Sequence, residues 1–302
     1  MADQIRIGVD LGGTKIAIAA FSSTGDQIYS KRVSTPKGEY EKTLRLINEL
    51  VLAAENEIGE NASVGLGTPG SISPKTGLLR NSNSTWMNGK PLPRDLEAIT
   101  GRKLRFANDA NCFALSEATD GAAAGCAVVF GVIIGTGTGG GVVVNGNIIE
   151  GINGIGGEWG HNPLPWPNDS ELPPLTCWCG AENCLELWLS GSGLQRDHKV
   201  ATGAELSAEE ICALAITGEE QSCQTLERHA ARLAKSLATV VNLLDPDVIV
   251  LGGGLSKLEH LYDKLPVLME PYVFSDVFET QIKPPKHGDA SGVRGAAWLW
   301  NP

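Results

Sequence analysis

The chain has 302 residues, enough for one large or two medium domains with a real core. Its 42% hydrophobic and 20% charged content fits a soluble globular enzyme and excludes a disordered chain. A formal net charge of −11 argues against nucleic acid or an anionic membrane as the main partner, so an anionic ligand has to be met locally, by backbone N–H groups or a metal.

No apolar run approaches a membrane span, and the start MADQIRIGVD already reads as a strand rather than a signal peptide, so the expected compartment is the cytoplasm. Ile5 to Asp10 is a β-branched run that ends in Asp10-Leu11-Gly12-Gly13-Thr14-Lys15. A second run, Ile16 to Phe21, follows at once, and a third strand reaches Val33 after the turn Ser22 to Asp26. Adjacent glycines expose backbone N–H groups, Thr14 adds a hydroxyl and Lys15 a charge, so the turn suits an anion such as phosphate. It also suits a plain hairpin, for which Gly-Gly is common. It is not a Walker A loop, because it lacks the GK[ST] ending and runs into a strand.

Residues 40–58 carry a helical apolar stripe at Leu44, Ile47, Leu50, Val51 and Ala54. Val64 to Gly67 reads as a buried strand leading into Thr68-Pro69-Gly70-Ser71, and the polar segment Ser73 to Pro93 as a long binding loop. Lys103 to Ala107 is a further strand that delivers Asn108-Asp109 at its C-terminal end, where α/β proteins place ligands. Asp109 also reads as a helix N-cap.

Val128 to Ile134 then repeats the opening pattern, ending in Gly135-Thr136-Gly137-Thr138-Gly139-Gly140-Gly141 before Val142 to Val144 and Ile148-Ile149. Such a duplication implies two similar lobes with phosphate loops facing each other. Ala208 to Ile216 and Leu226 to Leu244 are helical. The buried strand Val248 to Leu251 ends in Gly252-Gly253-Gly254, whose glycines allow close approach to a nucleotide. Ser291 to Trp300 reads as a last helix packing back on the first lobe.

The stretch from Gly157 to Glu186 holds His161 and, as Cys177-Trp178-Cys179-Gly180-Ala181-Glu182-Asn183-Cys184, three of the seven cysteines. Three thiolates and an imidazole form a closed tetrahedral zinc set, which is structural. Gly180 stands where a chain folding round a metal needs positive φ. A disulfide with a spare thiol is the alternative, but Cys-x-Cys is tight for a bridge. Glu158 and Glu186 flank the ligands, and rigid carboxylates on such a knot suit a polyol; as ordinary surface acids they would simply be solvated. Cys112, Cys126, Cys212 and Cys223 read as reduced thiols.

Together these motifs resemble the ROK family of sugar kinases over essentially the whole chain. The resemblance implies an α/β fold of the two-lobed actin/hexokinase/Hsp70-like (ribonuclease H-like) ATPase type with a structural zinc insertion at about 157–186. The expected lobes are residues 1–112, joined by a C-terminal helix 290–302, and residues 113–289. It implies that Asp10, Gly12, Gly13, Thr14 and Lys15, with Gly135, Thr136, Gly137, Thr138 and Gly139, hold ATP phosphates. Gly252, Gly253 and Gly254 would meet the adenosine. Asp109 would be the catalytic base, and Gly70, Asn83, Asn108, Asp109, Glu158, His161 and Glu186 would bind sugar. His161, Cys177, Cys179 and Cys184 would bind Zn²⁺, and Mg²⁺ would accompany ATP. The lobes would close over substrates.

Asn81 to Trp86, His161 to Trp166 and His287 to Trp298 are similar to the fructokinase branch, implying D-fructose to fructose 6-phosphate with mannose and glucose weaker. N-acetylglucosamine kinase or glucokinase is the alternative within the family. The family's repressors need a helix-turn-helix ahead of the first strand, and no room for one is expected before Ile5. A non-enzymatic sugar-sensing regulator is a further reading, against which stand Asp109 and both phosphate loops. The expected partners are a sugar and ATP, with no nucleic acid and no membrane; a homodimer is left open.

Overall fold

The computed structural model describes residues 5–300. The expectations for residues 1–4 and for the final two residues of the C-terminal helix, 301–302, lie outside the described residues. The chain divides into two compact units: Met1–Gly125 with Gly141–Gly156 and Lys286–Pro302, and Cys126–Gly140 with Gly157–Pro285.

In the first unit β1 (Arg6–Leu11), β2 (Lys15–Phe21) and β3 (Gln27–Ser34) form an antiparallel meander. Helix α1 (Tyr40–Ile58) follows, burying the stripe Leu44, Ile47, Leu50, Val51 and Ala54, and it ends on Gly59 in the left-handed conformation. β4 (Ser63–Thr68) pairs parallel to β1, and the short hairpin β5 (Ser71–Ile72) and β6 (Leu79–Arg80) opens the polar loop. Helix α2 (Leu92–Thr100) begins inside that loop, with proline in its first turn, where the missing N–H costs nothing. β7 (Arg105–Asn108) pairs parallel to β4 and runs directly into α3 (Asp109–Thr119). The sheet order is β3-β2-β1-β4-β7.

Strands β8 (Val128–Ile134), β9 (Thr138–Val144) and β10 (Asn147–Ile148) start a second sheet. Helices α4 (Glu186–Leu189), α5 (Gly191–Thr202), α6 (Ala208–Ile216) and α7 (Glu220–Leu244) follow, then β11 (Val248–Gly252), α8 (His260–Met269) and β12 (Gln281–Lys283). The order β10-β9-β8-β11-β12 repeats that of the first sheet, with β11 parallel to both β8 and β12. α7 starts before the apolar stripe at Leu226, because the Glu219 side chain accepts hydrogen bonds from the N–H groups of Gln221 and Ser222.

The last helix, α9 (Ser291–Trp298), returns to the first unit and packs on β1, β4 and α3. The approach is backbone to backbone: a Cβ at Gly8 would lie 1.8 Å from the Val293 carbonyl oxygen, and one at Gly65 would lie 1.9 Å from that of Ala296. Residue 112 lies within the continuous helix α3, so the chain divides at Gly125/Cys126 rather than there. Among the described residues no helix is long and apolar enough to cross a membrane.

Candidate functional site

In the first unit the glycine turn joins β1 to β2. The Gly12 N–H donates to the Lys15 carbonyl at 2.9 Å, and Thr35 fastens the turn from the end of β3, its hydroxyl donating to the Gly12 carbonyl at 2.8 Å and its N–H to that of Thr14 at 3.0 Å. Gly13 meets the polar loop: a Cβ there would lie 2.6 Å from Ser84 Oγ. In that loop Ser82 and Ser84 are buried while Asn83 between them is exposed. Asn88 clasps Ser82 through both its amide atoms. Gly70 has φ of 75°, and a Cβ there would strike the Arg80 carbonyl oxygen at 2.3 Å, so only glycine fits.

Asp10, one residue before the end of β1, is half-buried; desolvation raises its pKa, with Arg32 opposing. Asn108 and Asp109 stand at the start of α3, and the cap there is Asn108, not Asp109. The Asn108 Oδ1 accepts from the Asn111 N–H at 2.7 Å, whereas Asp109 Oδ1 accepts from its own neighbour Ala110 at 2.8 Å. Asp10 and Asp109 lie close enough to the buried Cys112 that both charges, after the larger effect of burial, push its thiol up.

In the second unit the Gly135 turn is closed by its N–H donating to the Gly137 carbonyl at 3.0 Å and is met by α5, whose Gly191 N–H donates to the Gly135 carbonyl at 2.7 Å. Gly253, with φ of 84°, approaches the end of β8 so closely that a Cβ would lie 2.5 Å from the Ile134 carbonyl oxygen. This brings Gly254 beside Gly135 and Thr136 on a cavity of about 730 Å³, also lined by Ser192, Ala208 and Leu255. The sequence reading misses α5; its signal is Ser190-Gly191-Ser192-Gly193, in which Ser190 Oγ caps the helix by accepting from the Gly193 N–H at 3.1 Å.

The segment Gly157-Glu158-Trp159-Gly160-His161 is bolted to β9. The Trp159 indole N–H donates to the Gly139 carbonyl at 2.8 Å, its ring meets Phe130 edge-on, and a Cβ at Gly160 would lie 2.0 Å from the Thr138 carbonyl oxygen. His161, Cys177, Cys179 and Cys184 offer ligand atoms that all lie within 4.8 Å of one another. His161 Nδ1 is 3.8 Å from Cys177 Sγ, and Cys179 Sγ is 3.6 Å from Cys184 Sγ. Sulfurs about 2.3 Å from a tetrahedral ion stand roughly 3.8 Å apart, so the spacing fits zinc and exceeds a disulfide. The turn between the ligands is closed by the Cys177 N–H donating to Ala181 and the Gly180 N–H to Cys177, with Gly180 at φ of 91°. Burial, then the neighbouring thiols, push Cys184 up to about 12, while the Ala181 N–H holds Cys179 below its usual value. As thiolates the three would repel one another unless a cation stood among them.

Glu186 starts α4 with both carboxylate oxygens engaged. Oε2 accepts from the Thr138 N–H at 3.1 Å, and Oε1 accepts from the Trp178 indole N–H at 2.6 Å. Trp178 is a further residue the sequence reading leaves without a role.

Two sheets of the same order, each with a glycine turn between its first two long strands, define an α/β protein of the actin/hexokinase-like type. The ROK family profile matches residues 6–302, and the chain belongs to the ROK family. It is 42% identical over 301 residues to an N-acetyl-D-glucosamine kinase of Haemophilus influenzae (97% of this chain, 98% of the relative). It is 41% identical over 296 residues to one of Photobacterium profundum (97% and 98%). In structure it is similar to a ROK hexokinase from Thermus thermophilus, at TM-score 0.86 and 33% identity (98% and 97% covered). It is also similar to a ROK glucokinase from Streptomyces griseus in complex with glucose and AMPPNP, at TM-score 0.81 and 26% identity (98% and 98% covered). The curated relatives carry the N-acetyl-D-glucosamine name, so the expected likeness to the fructokinase branch gives way to the alternative named beside it.

Proposed function

We propose that the protein is an ATP-dependent sugar kinase whose preferred substrate is N-acetyl-D-glucosamine. The full-length likeness to N-acetyl-D-glucosamine kinases carries the choice of sugar and displaces fructose as the first reading. From the first unit, Asp109 accepts the proton of a sugar hydroxyl as the γ-phosphoryl group moves to that oxygen and ADP departs. Asn108, Asn83 and Gly70 border the sugar, and the turn of Gly12, Gly13, Thr14 and Lys15, with Asp10 behind it, serves the phosphates. From the second unit, Gly135 to Gly139 offer a second phosphate turn, Gly252 to Gly254 the approach for the adenosine, and Glu158, His161 and Glu186 polar contacts to the sugar. Mg²⁺ bound with ATP supplies charge neutralisation on the triphosphate. His161, Cys177, Cys179 and Cys184 fit a structural zinc, which leaves no ligand position open for chemistry.

ADP release measured across N-acetyl-D-glucosamine, fructose, mannose and glucose tests the reading. The expected result is a kcat/KM for N-acetyl-D-glucosamine at least tenfold above the others. A higher value for fructose overturns the substrate, and sugar binding without ADP release for any of them overturns the enzyme in favour of a sensor.

A further inference from the structure

The Glu186 carboxylate spans two features that are distant in sequence. One oxygen takes the N–H of Thr138, the residue that leaves the second glycine turn, and the other takes the indole N–H of Trp178, which stands between two thiols of the metal knot. The carboxylate lies against the turn itself, since a Cβ at Gly137 would be 2.6 Å from Glu186 Oε2. Thr138 Oγ1 is buried and has no hydrogen-bond partner among the described residues. A backbone N–H on such a turn is the group a phosphate needs, and a carboxylate seated there both takes the donor and repels the anion.

We propose that Glu186 is a latch on the nucleotide turn, held shut by Trp178 and released by sugar. The inference rests on the reading of Glu186 as a sugar contact. In the latched state Thr138 N–H is unavailable to the polyphosphate of ATP. A sugar hydroxyl that draws the carboxylate away frees that N–H, so sugar binding tightens nucleotide binding, and by linkage nucleotide tightens sugar to the same degree. Trp178 is a positioning residue: its ring packs edge-on against His161 at 5.1 Å and its indole N–H donates to Glu186 Oε1. The arrangement makes the protein a poor ATP-binding and ATP-hydrolysing species until a sugar arrives.

The test is binding of a non-hydrolysable ATP analogue with Mg²⁺ to the full-length, metal-loaded protein, with and without saturating N-acetyl-D-glucosamine. Wild type, Glu186→Gln and Trp178→Phe are compared, and metal content is measured for each. Wild type is expected to bind the analogue at least tenfold more tightly with sugar. Trp178→Phe keeps the ring against His161 but loses the donor, and it is expected to bind the analogue three- to tenfold more tightly than wild type when no sugar is present. Glu186→Gln is expected to do the same and to lose the sugar effect to within twofold. Unchanged sugar-free affinity in Trp178→Phe overturns the latch, even if Glu186→Gln gains, because the gain would then be charge removal alone. Failure to phosphorylate any sugar, with both variants still gaining affinity, overturns the kinase reading and leaves the latch standing.

Discussion

Asn108 and Asp109 are adjacent and chemically alike, yet the hydrogen bonds separate their tasks. The Asn108 side chain accepts from the Asn111 N–H and so caps α3, while the Asp109 carboxylate accepts from the N–H of its neighbour Ala110. Replacing Asn108 by Ala is therefore expected to cost about 1 kcal/mol of stability. Asp109→Asn leaves that cap in place and is expected to melt as wild type, bind ATP and sugar within a few-fold, and lose turnover by about 10²–10⁴-fold. More than a tenth of wild-type turnover at saturating substrates would refute the base. A third variant, Cys179→Ser, is expected to lower zinc content and sugar affinity together while circular dichroism stays near wild type, because the lobe keeps its own core. Normal sugar kinetics in a zinc-free preparation would remove the scaffold role. Residue types of this kind were legible in the sequence: the ligand spacing and the positive φ needed at Gly180 follow from the string Cys-x-Cys-Gly. The two bonds of Glu186 were not, since nothing local announces that a side chain will meet an amide 48 positions away.

At the scale of elements, long periodic segments were readable and short, unpatterned ones were not. α1 and α7 carry apolar stripes over several turns, whereas β12 has only Gln281-Ile282-Lys283 and no face to alternate. α8 contains Pro266, which masks a helix whose buried face is Leu261, Leu265 and Met269. The loop before the cysteines has few large apolar residues, Leu164, Trp166, Leu172 and Leu175, and it is tied to α7 by buried ion pairs. Glu171 is buried and accepts from Arg232 Nε at 2.7 Å and from Lys235 Nζ at 2.7 Å, while Lys235 also donates to the Trp166 carbonyl at 2.9 Å. Arg232 keeps a second partner in Asp197 at 2.8 Å. Burial alone would raise the Glu171 pKa, but the bonds to Lys235 and Arg232 carry it below the ordinary carboxylate value. Breaking one side of a buried pair costs roughly 3–5 kcal/mol. Glu171→Gln is expected at the lower end, because both cations retain a neutral or acidic partner, and thermal unfolding at pH 7 should show a single large drop in Tm. The sign with pH follows from the depressed folded pKa. The carboxylate's contribution is complete above the unfolded value of about 4.3 and is lost as pH falls through the folded value. The gap in Tm between wild type and Glu171→Gln should therefore narrow below about pH 4. A gap that stays constant down to acid unfolding would show that the network is not what stabilises the loop.

For the molecule as a whole, the duplicated run of strand, glycine turn and strand was visible in the sequence because both copies keep their β-branched runs and glycines. The path of the chain was less so: β9 continues without a break from Thr138 to Val144, yet the units divide at Gly140/Gly141, and no change of composition marks that point. The first unit is completed only by the segment from Lys286 onward. Val293, Ala296, Ala297 and Trp298 of α9 are buried, Ser291 donates to the buried Glu117 at 2.7 Å, and Arg294 pairs with Asp120 and donates to the Gly25 carbonyl at 2.8 Å. Folded domains are stable by only about 5–15 kcal/mol, so loss of a helix with this many buried groups exceeds what the unit can absorb. A chain ending at Pro285 is expected to lose protease resistance in residues 5–125, while the region 157–285 is expected to bind zinc as the full chain does. A point variant tests the same packing more gently. Gly65→Ala places a methyl group 1.9 Å from the Ala296 carbonyl oxygen, where backbone rather than a flexible side chain must move. Overpacking of a core costs typically about 1–3 kcal/mol, so the variant should melt several degrees lower, with first-unit peptides released first in limited proteolysis. Release of peptides from 157–285 first, or a melting temperature equal to wild type, would show that α9 is not what holds the first unit together.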